Sequence, residues 1–384
     1  MTLTALSLSL AVLLGCPPAA DLEETGDTEE ADADTDADAD ADADSDADSD
    51  SDADADPEHT MAIATTTDYS VGALTTFALD SRNATDVADI ASDAWVTVDQ
   101  GKVLQLGRYG FDYLRIYDIG DWSNPQEISL AEGSNPQAAY FCDDKIFVSQ
   151  YGVDKVAIFS AEGNPAGAID LSAYADADGL PEAAAMIKDG DRLILALQIL
   201  DQETFASAGP GQVLEIDCAT EAIVGSHEVG VNPRISAHPQ DSDVVFVQTG
   251  MYGSPDGDLR TLSLSEGLLS EPIVTESDVS GDIGGMVMND AGKALMTVYT
   301  PSYGTEIYCL DADAETMTQL GGELPYSSGP WLNNKGEAWI SVGYDWTNSV
   351  AGGAMLVDIN SCSDLTAEGG YISSTLGISS MAFY

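Results

Sequence analysis

Residues 213–247 read VLEIDCATEAIVGSHEVGVNPRISAHPQDSDVVFV, and they contain the pattern that decides the fold. Short apolar or alternating segments (VLEI, AIVGSHEV, RISA and VVFV) are separated by polar turns such as HPQDSD. Segments of about four to eight residues bounded by such turns are typical of antiparallel strands. Because long helical periodicity is absent beyond residue 60, the stretch predicts an all-β fold.

The same order of segments recurs along the chain. Each copy has an apolar first strand, a Gly/Asp/Asn turn, a second strand, a variable loop rich in Tyr and Gly, a third strand ending near an aspartate, and an alternating final strand. Equivalent positions repeat at about 45 to 52 residues, the size of a four-stranded propeller blade. Six internal copies are present, and their first strands are AWVTV, AAYF, AAAMI, RISAH, GGMVM and PWLN.

The two ends of this region are incomplete copies. MAIATTTDYSVGALTTFALD, at residues 61–80, matches only the second and third strands, whereas GISSMAFY, at residues 377–384, matches only the first. Together they complete one composite blade that closes a ring. We therefore predict an all-β, seven-bladed β-propeller over residues 60–384, because ring closure buries every blade face and leaves only short edges. A β-sandwich or a set of separate β domains is the alternative.

Residues 213–247 resemble the repeat of YVTN-type (YncE-like) bacterial β-propellers. That repeat has a third strand ending in isoleucine-aspartate, a threonine turn, a strand ending in valine-glycine, a proline, and a strand of valines and aromatics. Here a Pro-Gln-Asp turn stands in place of a Pro-Asp-Gly-type turn. The other copies are less similar, although VDI at residues 357–359 and IYD at residues 116–118 keep the strand end. The resemblance implies the propeller architecture for residues 60–384.

The amino-terminal segment carries a second resemblance. Leu-Leu-Gly-Cys at residues 13–16 closes an apolar leader too short to span a bilayer, and it resembles the lipobox of bacterial lipoproteins. This implies a signal peptide at residues 1–15 and acylation of Cys16; an ordinary cysteine in a conventional signal peptide is the alternative. Pro17, which is not the aspartate of the enterobacterial sorting rule, favours the outer membrane over the inner one. We expect a lipid-anchored protein of the bacterial cell envelope, with its propeller in the periplasm or at the cell surface.

An acidic tract follows this cysteine. Residues 21–58 hold 20 of the 67 acidic residues and no basic one. Because like charges repel and apolar residues are scarce, residues 16–59 are predicted to be a disordered Asp/Ala-rich linker, similar in composition to those of myxobacterial surface lipoproteins. The tract has neither a turn glycine nor a closing carboxylate at the offsets that a calcium loop needs, so we expect only weak Ca²⁺ association. With 12 basic residues and a net charge of −55, nucleic acid is excluded as a partner.

One rim of the predicted ring collects aromatic residues. The loops between second and third strands share a face with the loops that join blades, and nearly every copy places an aromatic residue there: Tyr69, Tyr109, Phe111, Tyr151, Phe205, Tyr252, Tyr303, Tyr344 and Trp346. The first residues of the blades surround the central tunnel, and they include Gln137, Glu182, Arg234 and Trp331. Aromatic rings with a few polar groups around a concavity suit a ligand. We predict a module that binds an envelope or extracellular protein, peptide or glycan; ordinary Tyr-Gly loop chemistry is the alternative.

No segment carries a decisive catalytic signature. Nucleophile elbows, phosphate loops and dinucleotide fingerprints are missing, and His59, His227 and His238 lack the spacing of zinc ligands. We therefore expect no cofactor and no metal. The rival hypothesis is a metal-assisted hydrolase or lactonase-like enzyme at the tunnel mouth, using acidic residues such as Glu182.

Four cysteines, Cys142, Cys218, Cys309 and Cys362, lie in four different copies. An oxidising compartment permits disulfides, but each bridge would have to cross from one blade to another within a short Cα separation. Buried free thiols and disulfides are both left open by the spacing.

Overall fold

The computed structural model describes residues 58–312, 314, 316–343, 352–367 and 370–384. Over these residues the protein is nearly all β. The strands in chain order are β1 Met61–Thr67, β2 Gly72–Ala78, β3 Asn83–Ile90, β4 Ala94–Asp99, β5 Lys102–Gly107, β6 Tyr113–Asp118, β7 Asp121–Ser129, β8 Pro136–Cys142, β9 Lys145–Gln150, β10 Lys155–Ser160, β11 Pro165–Asp170, β12 Ala183–Asp189, β13 Arg192–Leu197, β14 Gln212–Asp217, β15 Ala222–Glu228, β16 Arg234–Ala237, β17 Val244–Gln248, β18 Asp258–Ser263, β19 Leu268–Leu269, β20 Val274–Thr275, β21 Asp282–Met288, β22 Lys293–Tyr299, β23 Gly304–Asp311, β24 Thr316–Pro325, β25 Trp331–Leu332, β26 Glu337–Val342, β27 Gly353–Asp358, β28 Ser363–Asp364, β29 Ile372–Ser373 and β30 Gly377–Phe383.

Helical structure in the described residues is confined to loops between blades. A 3₁₀ turn covers Ser172–Tyr174, and the four-residue helix α1 covers Glu276–Val279. Thr275 begins α1 with a capping box, in which its side chain and that of Asp278 satisfy backbone N–H groups at the helix start.

The strands form seven antiparallel sheets in the described part of the chain, and these are the blades of the ring. Six blades run from the innermost to the outermost strand in chain order: blade 1 is β4–β7, blade 2 β8–β11, blade 3 β12–β15, blade 4 β16–β20, blade 5 β21–β24 and blade 6 β25–β29. The innermost strands of successive blades contact each other, and β30 contacts both blade 6 and β4. The predicted seven-bladed β-propeller is therefore confirmed.

The seventh, or closure, blade is composite, as predicted. Its order is β3-β2-β1-β30, so that the carboxyl-terminal strand is innermost and pairs antiparallel with β1 from Ala62 opposite Phe383 to Thr67 opposite Gly377. The structure adds β3 as the outer strand, which the sequence pattern did not predict. The reason is that β3 is only partly buried and its sequence, NATDVADI, shows no strong apolar alternation.

Apolar clusters between adjacent blades form the core. Phe147 and Val156 of blade 2 pack with Leu193 and Leu214 of blade 3, for example. The cluster between blade 6 and the closure blade contains Trp339, which is fully buried. Because each sheet is apolar on both faces, a single blade could not bury its side chains, and the ring is the unit that buries them.

Both pairs of cysteines are bonded. Cys142 of blade 2 is bonded to Cys218 of blade 3, with a Cα–Cα distance of 5.5 Å, and Cys309 of blade 5 to Cys362 of blade 6, at 5.9 Å. The free-thiol alternative is therefore wrong. Each bond joins neighbouring blades at the end of the ring where first and third strands finish, and there the packed sheets bring Cα atoms within the distance that a disulfide spans.

Candidate functional site

Two sets of loops make up one face of the ring, which we call the upper face. The loops between second and third strands are residues 68–71, 108–112, 151–154, 198–211, 249–257 and 300–303, together with the described ends of 343–352. The loops that join one blade to the next are residues 91–93, 130–135, 171–182, 229–233, 276–281, 326–330 and 374–376. The disulfides lie towards the opposite face.

Aromatic side chains on the upper face are exposed. Five of the predicted rim residues have more than half of their surface in solvent: Tyr69 (73%), Tyr109 (79%), Phe205 (62%), Tyr252 (57%) and Tyr303 (73%). Each belongs to a different blade. Phe111 is 46% exposed, Tyr151 is half-buried, and Tyr344 and Trp346 lie outside the described residues. Five of the predicted rings are therefore accessible to solvent on the upper face.

The backbone at four of these aromatic residues has a conformation that favours glycine. Tyr69, Tyr109, Phe205 and Tyr303 all have positive φ angles, of 68°, 32°, 55° and 63°. This left-handed region costs an L-residue with a bulky side chain about 1 kcal/mol or more, and glycine would occupy it without strain. Four aromatic residues thus stand where glycine would be the more stable choice, and their rings point into solvent.

Four tyrosines form what we call the tyrosine cluster. Tyr252 lies on blade 4, Tyr299 and Tyr303 lie on blade 5, and Tyr326 lies in the loop leading into blade 6. Tyr299 and Tyr326 stack with ring centroids 5.3 Å apart and an interplanar angle of 16°. Tyr252 and Tyr303 contact each other at 6.4 Å. Sequence reasoning missed Tyr299 and Tyr326, because the first ends a strand and the second lies in a loop between blades. The Pro325-Tyr326 pair just before blade 6 marks a loop between blades, and it could have indicated Tyr326 from the sequence.

Arg234 lies beside the tyrosine cluster. It is the first residue of β16, the innermost strand of blade 4, and its side chain is exposed. It lines a shallow, open cavity with Asn232, Gln248, Tyr252 and Tyr299. Burial raises the pKa of Tyr326 to about 12, and Tyr299 adds to the rise while the charge of Arg234 opposes it. The predicted residues Tyr252, Tyr303 and Arg234 are thus brought together.

Glu182 is buried beneath the upper face, and this differs from its predicted place beside an open tunnel. Its Oε2 accepts a hydrogen bond from the Leu200 N–H at 2.9 Å, while Oε1 has no partner among the described residues. Burial raises the pKa of Glu182 to about 7. Burial also raises the pKa of Tyr151 to about 12, and Glu182 is the next contributor. Tyr151 and Glu182 therefore form a second group, separate from the tyrosine cluster.

Gln137 belongs to a third group, on blades 1 and 2. Its Nε2 donates to Asn135 Oδ1 at 2.9 Å, and Arg108 Nη1 donates to its Oε1 at 3.2 Å. Tyr109 joins this group, because its N–H donates to Asn135 Oδ1 at 3.1 Å. Trp331 stands apart, half-buried against the apolar cluster between blade 6 and the closure blade.

Within the described ranges, no three His, Cys, Asp or Glu side chains are placed to hold a metal ion. The same part of the chain has no helix of the length and apolar character needed to cross a membrane. The fold is thus a seven-bladed β-propeller, and the tyrosine cluster and Arg234 lie together on its upper face.

Comparisons with known proteins agree with this fold. No family model matches the chain, and no curated protein matches it. Similar solved structures include a putative 6-phosphogluconolactonase from Bacteroides fragilis, which is 13% identical, with 86% of this chain and 98% of that chain covered and a TM-score of 0.59. The periplasmic gluconolactonase of Pseudomonas aeruginosa is also 13% identical, with 84% and 98% covered and a TM-score of 0.57. A chain of the mitotic checkpoint complex is 10% identical, with 72% and 84% covered and a TM-score of 0.50. At these identities the likeness shows the fold alone.

Proposed function

We propose that this protein is an extracytoplasmic binding module, held to the bacterial envelope by lipidated Cys16, that takes a protein, peptide or glycan on its upper face. The observation that carries the proposal is the set of exposed aromatic residues in left-handed backbone positions. Backbone strain that persists where glycine would remove it points to a role for the side chain. Aromatic rings contribute a large contact area at low conformational cost, which is why they are enriched in binding surfaces.

The family resemblance, the lipid anchor, the outer-membrane location and the role of the linker belong to the same proposal. The repeat at residues 213–247 supports a place among YVTN-type propellers, and the Leu-Leu-Gly-Cys segment supports lipidation and an outer-membrane location. The acidic linker would separate the propeller from the membrane and associate weakly with Ca²⁺.

The test replaces Tyr69 and Tyr303 by glycine and measures both partner capture and stability. After cross-linking in the native envelope, the double variant is expected to lose its captured partner. Its free energy of unfolding should stay the same or rise by about 1 kcal/mol, because glycine relieves the left-handed strain.

The matched control is Tyr371→Ala, which removes a tyrosine that is 46% exposed at the outer edge of blade 6. It should leave partner capture unchanged. Unchanged capture by the glycine double variant would contradict the proposed function, whereas a fall in both capture and stability would show that the rings support the fold.

One observation favours a second function, a lactonase-like hydrolase. The pKa of Glu182, at about 7, suits a general acid or base, and two of the similar structures are titled as lactonases. Against this, Glu182 is buried and could reach a substrate only after the loops above it move. If the purified protein hydrolyses lactones and Glu182→Gln abolishes this activity, the protein is an enzyme. A tightly held stoichiometric metal ion would also count against a purely binding role.

A further inference from the structure

We propose that the exposed surface around Arg234 binds a carboxylated sugar unit of an acidic glycan. This inference rests on the proposed function, because it names the ligand class of the same face. Arg234 carries a positive charge and is exposed at the first residue of the innermost strand of blade 4.

Arg234 is one of three cations of this chain that take part in no described ion pair. The described ion pairs involve nine different Lys or Arg residues, out of the 12 in the sequence. The remaining three are Arg82, Lys155 and Arg234. Arg82 donates to a backbone carbonyl, and Lys155 lies at the start of the third strand of blade 2. Within the described residues, the side chains of Lys155 and Arg234 have neither an ion pair nor a hydrogen bond. Of these two, Arg234 is the one that lines the cavity beside the tyrosine cluster.

Two carboxylates line the same cavity as Arg234, and both are already engaged by backbone N–H groups. Glu276 accepts hydrogen bonds from the N–H groups of Gly257, at 2.8 Å, and Ile283, at 3.1 Å. Asp282 accepts from the Gly253 N–H at 2.9 Å. These side chains hold loops of the upper face in place and leave the guanidinium of Arg234 open to a ligand. A planar guanidinium binds a carboxylate with two parallel hydrogen bonds.

Asp282 and Glu276 also determine whether the site favours a singly or a doubly charged anion. A phosphate would bring up to two negative charges beside Asp282 and Glu276 and into the field of a protein with a net charge of −55. A carboxylate brings one negative charge, and the guanidinium of Arg234 can neutralise it. Like charges within a few ångströms disfavour the more highly charged ligand, so the site favours a monoanion.

The remaining walls suit a ring that carries hydroxyl groups. Tyr252 and Tyr299 line the cavity and present aromatic surface to the apolar C–H face of a sugar. Asn232 uses Nδ2 to bond the Gly250 carbonyl, so its Oδ1 stays available as an acceptor for a hydroxyl. The cavity is partly open and has a volume of only about 20 Å³. The sugar would therefore lie over its mouth, as one unit of a chain across the upper face.

The experiment measures the affinity of the full-length protein, in detergent micelles, for oligomers of galacturonate, glucuronate and mannuronate. Each oligomer is compared with its methyl ester, which removes the charge and keeps the ring. We expect at least one acid form to bind, and its ester to bind roughly 10- to 100-fold more weakly, the loss typical of a hydrogen-bonded charge.

Arg234→Gln should weaken binding of the acid form by a similar factor and bring it to the level of the ester. Arg234→Lys, which keeps the charge but loses the two-pronged geometry, should give an intermediate loss. Lys155→Gln is the matched control, since it removes another unpaired cation from the upper side of blade 2, and it should change nothing. Thermal unfolding of each variant checks that the fold is intact.

Three results would overturn the inference. They are equal binding of acid and ester, no binding of any acidic oligomer, and Arg234-dependent binding of polyglutamate in place of the sugars. None of these removes the proposed function, which is judged separately by partner capture with the Tyr69 and Tyr303 glycine variants. Loss of glycan binding together with normal partner capture would show that the site takes another ligand class.

Discussion

At the scale of the residue, hydrogen-bond partners decide what a buried carboxylate does. Glu182 and Glu276 both lie in loops that join blades, and both are buried. Glu276 satisfies two backbone N–H groups with its two oxygens, whereas Glu182 satisfies one. Burial raises the pKa of both, and that of Glu182 reaches about 7. Sequence alone placed Glu182 at a blade start, but it could not show which oxygen would lack a partner.

The raised pKa of Glu182 predicts how Glu182→Gln changes stability with pH. A carboxyl whose pKa is higher in the folded state favours the fold while it is protonated, and this contribution is lost as the pH rises from about 4.5 to 7. Glu182→Gln keeps the acceptor for Leu200 and cannot ionise. At pH 8 the variant should be the more stable protein by up to about 3 kcal/mol, and at pH 5 the gap should be small.

Urea unfolding of both proteins between pH 5 and 8 measures this gap. Asp217→Asn is a useful control, because the hydroxyl and N–H of Thr220 lower the pKa of this exposed carboxylate. The free energy of unfolding of Asp217→Asn should not rise relative to that of wild type as the pH increases from 5 to 8. A gap between wild type and Glu182→Gln that is constant with pH would contradict a raised pKa at Glu182.

At the scale of the element, the closure of the ring depends on hydroxyl groups as well as on backbone pairing. Ser380 of β30 is fully buried and bonds Thr65 of β1 at 2.7 Å between hydroxyl oxygens. Its hydroxyl oxygen also accepts from the Val96 N–H of blade 1 at 2.9 Å. One side chain thus ties the last strand to the first strand and to the neighbouring blade.

We predict that Ser380→Ala destabilises the protein by about 1 to 3 kcal/mol, because the Val96 N–H is left buried without a partner. Ser373→Ala, in the exposed outer strand β29, should change the free energy of unfolding by less than about 0.5 kcal/mol. Chemical denaturation compares the two variants. Equal stabilities would show that water or a neighbouring group replaces the Ser380 hydroxyl.

At the scale of the whole molecule, the two faces of the ring differ. The disulfides join neighbouring blades near one end, and the exposed aromatic residues and Arg234 lie on the upper face. The covalent links therefore stabilise contacts between blades without occupying the proposed binding face. The separation leaves the loops of the upper face free to vary in sequence while the ring remains closed.

The proposed anchor is tested on the whole protein, since Cys16 and residues 1–57 lie outside the described residues. Cys16→Ser should move the protein from the membrane fraction to the soluble fraction, because several acyl chains on one cysteine hold a protein far more firmly than one chain. Cys142→Ser serves as the comparison, since it removes a cysteine of the propeller and should leave fractionation unchanged. An unaltered membrane fraction for Cys16→Ser would contradict lipidation.

The sequence by itself determined the blades and their closure. Strand periodicity and turn residues are local signals, so six internal copies and two complementary ends were enough to predict seven blades. The tertiary structure alone decided which distant residues meet: the cysteine pairs, the stacking of Tyr299 on Tyr326, the burial of Glu182, and the position of Arg234 beside Tyr252 and Tyr299. The physical reason is that strand patterns repeat along the chain, whereas contacts across the ring depend on how neighbouring blades pack and on the paths of loops whose sequences share no pattern.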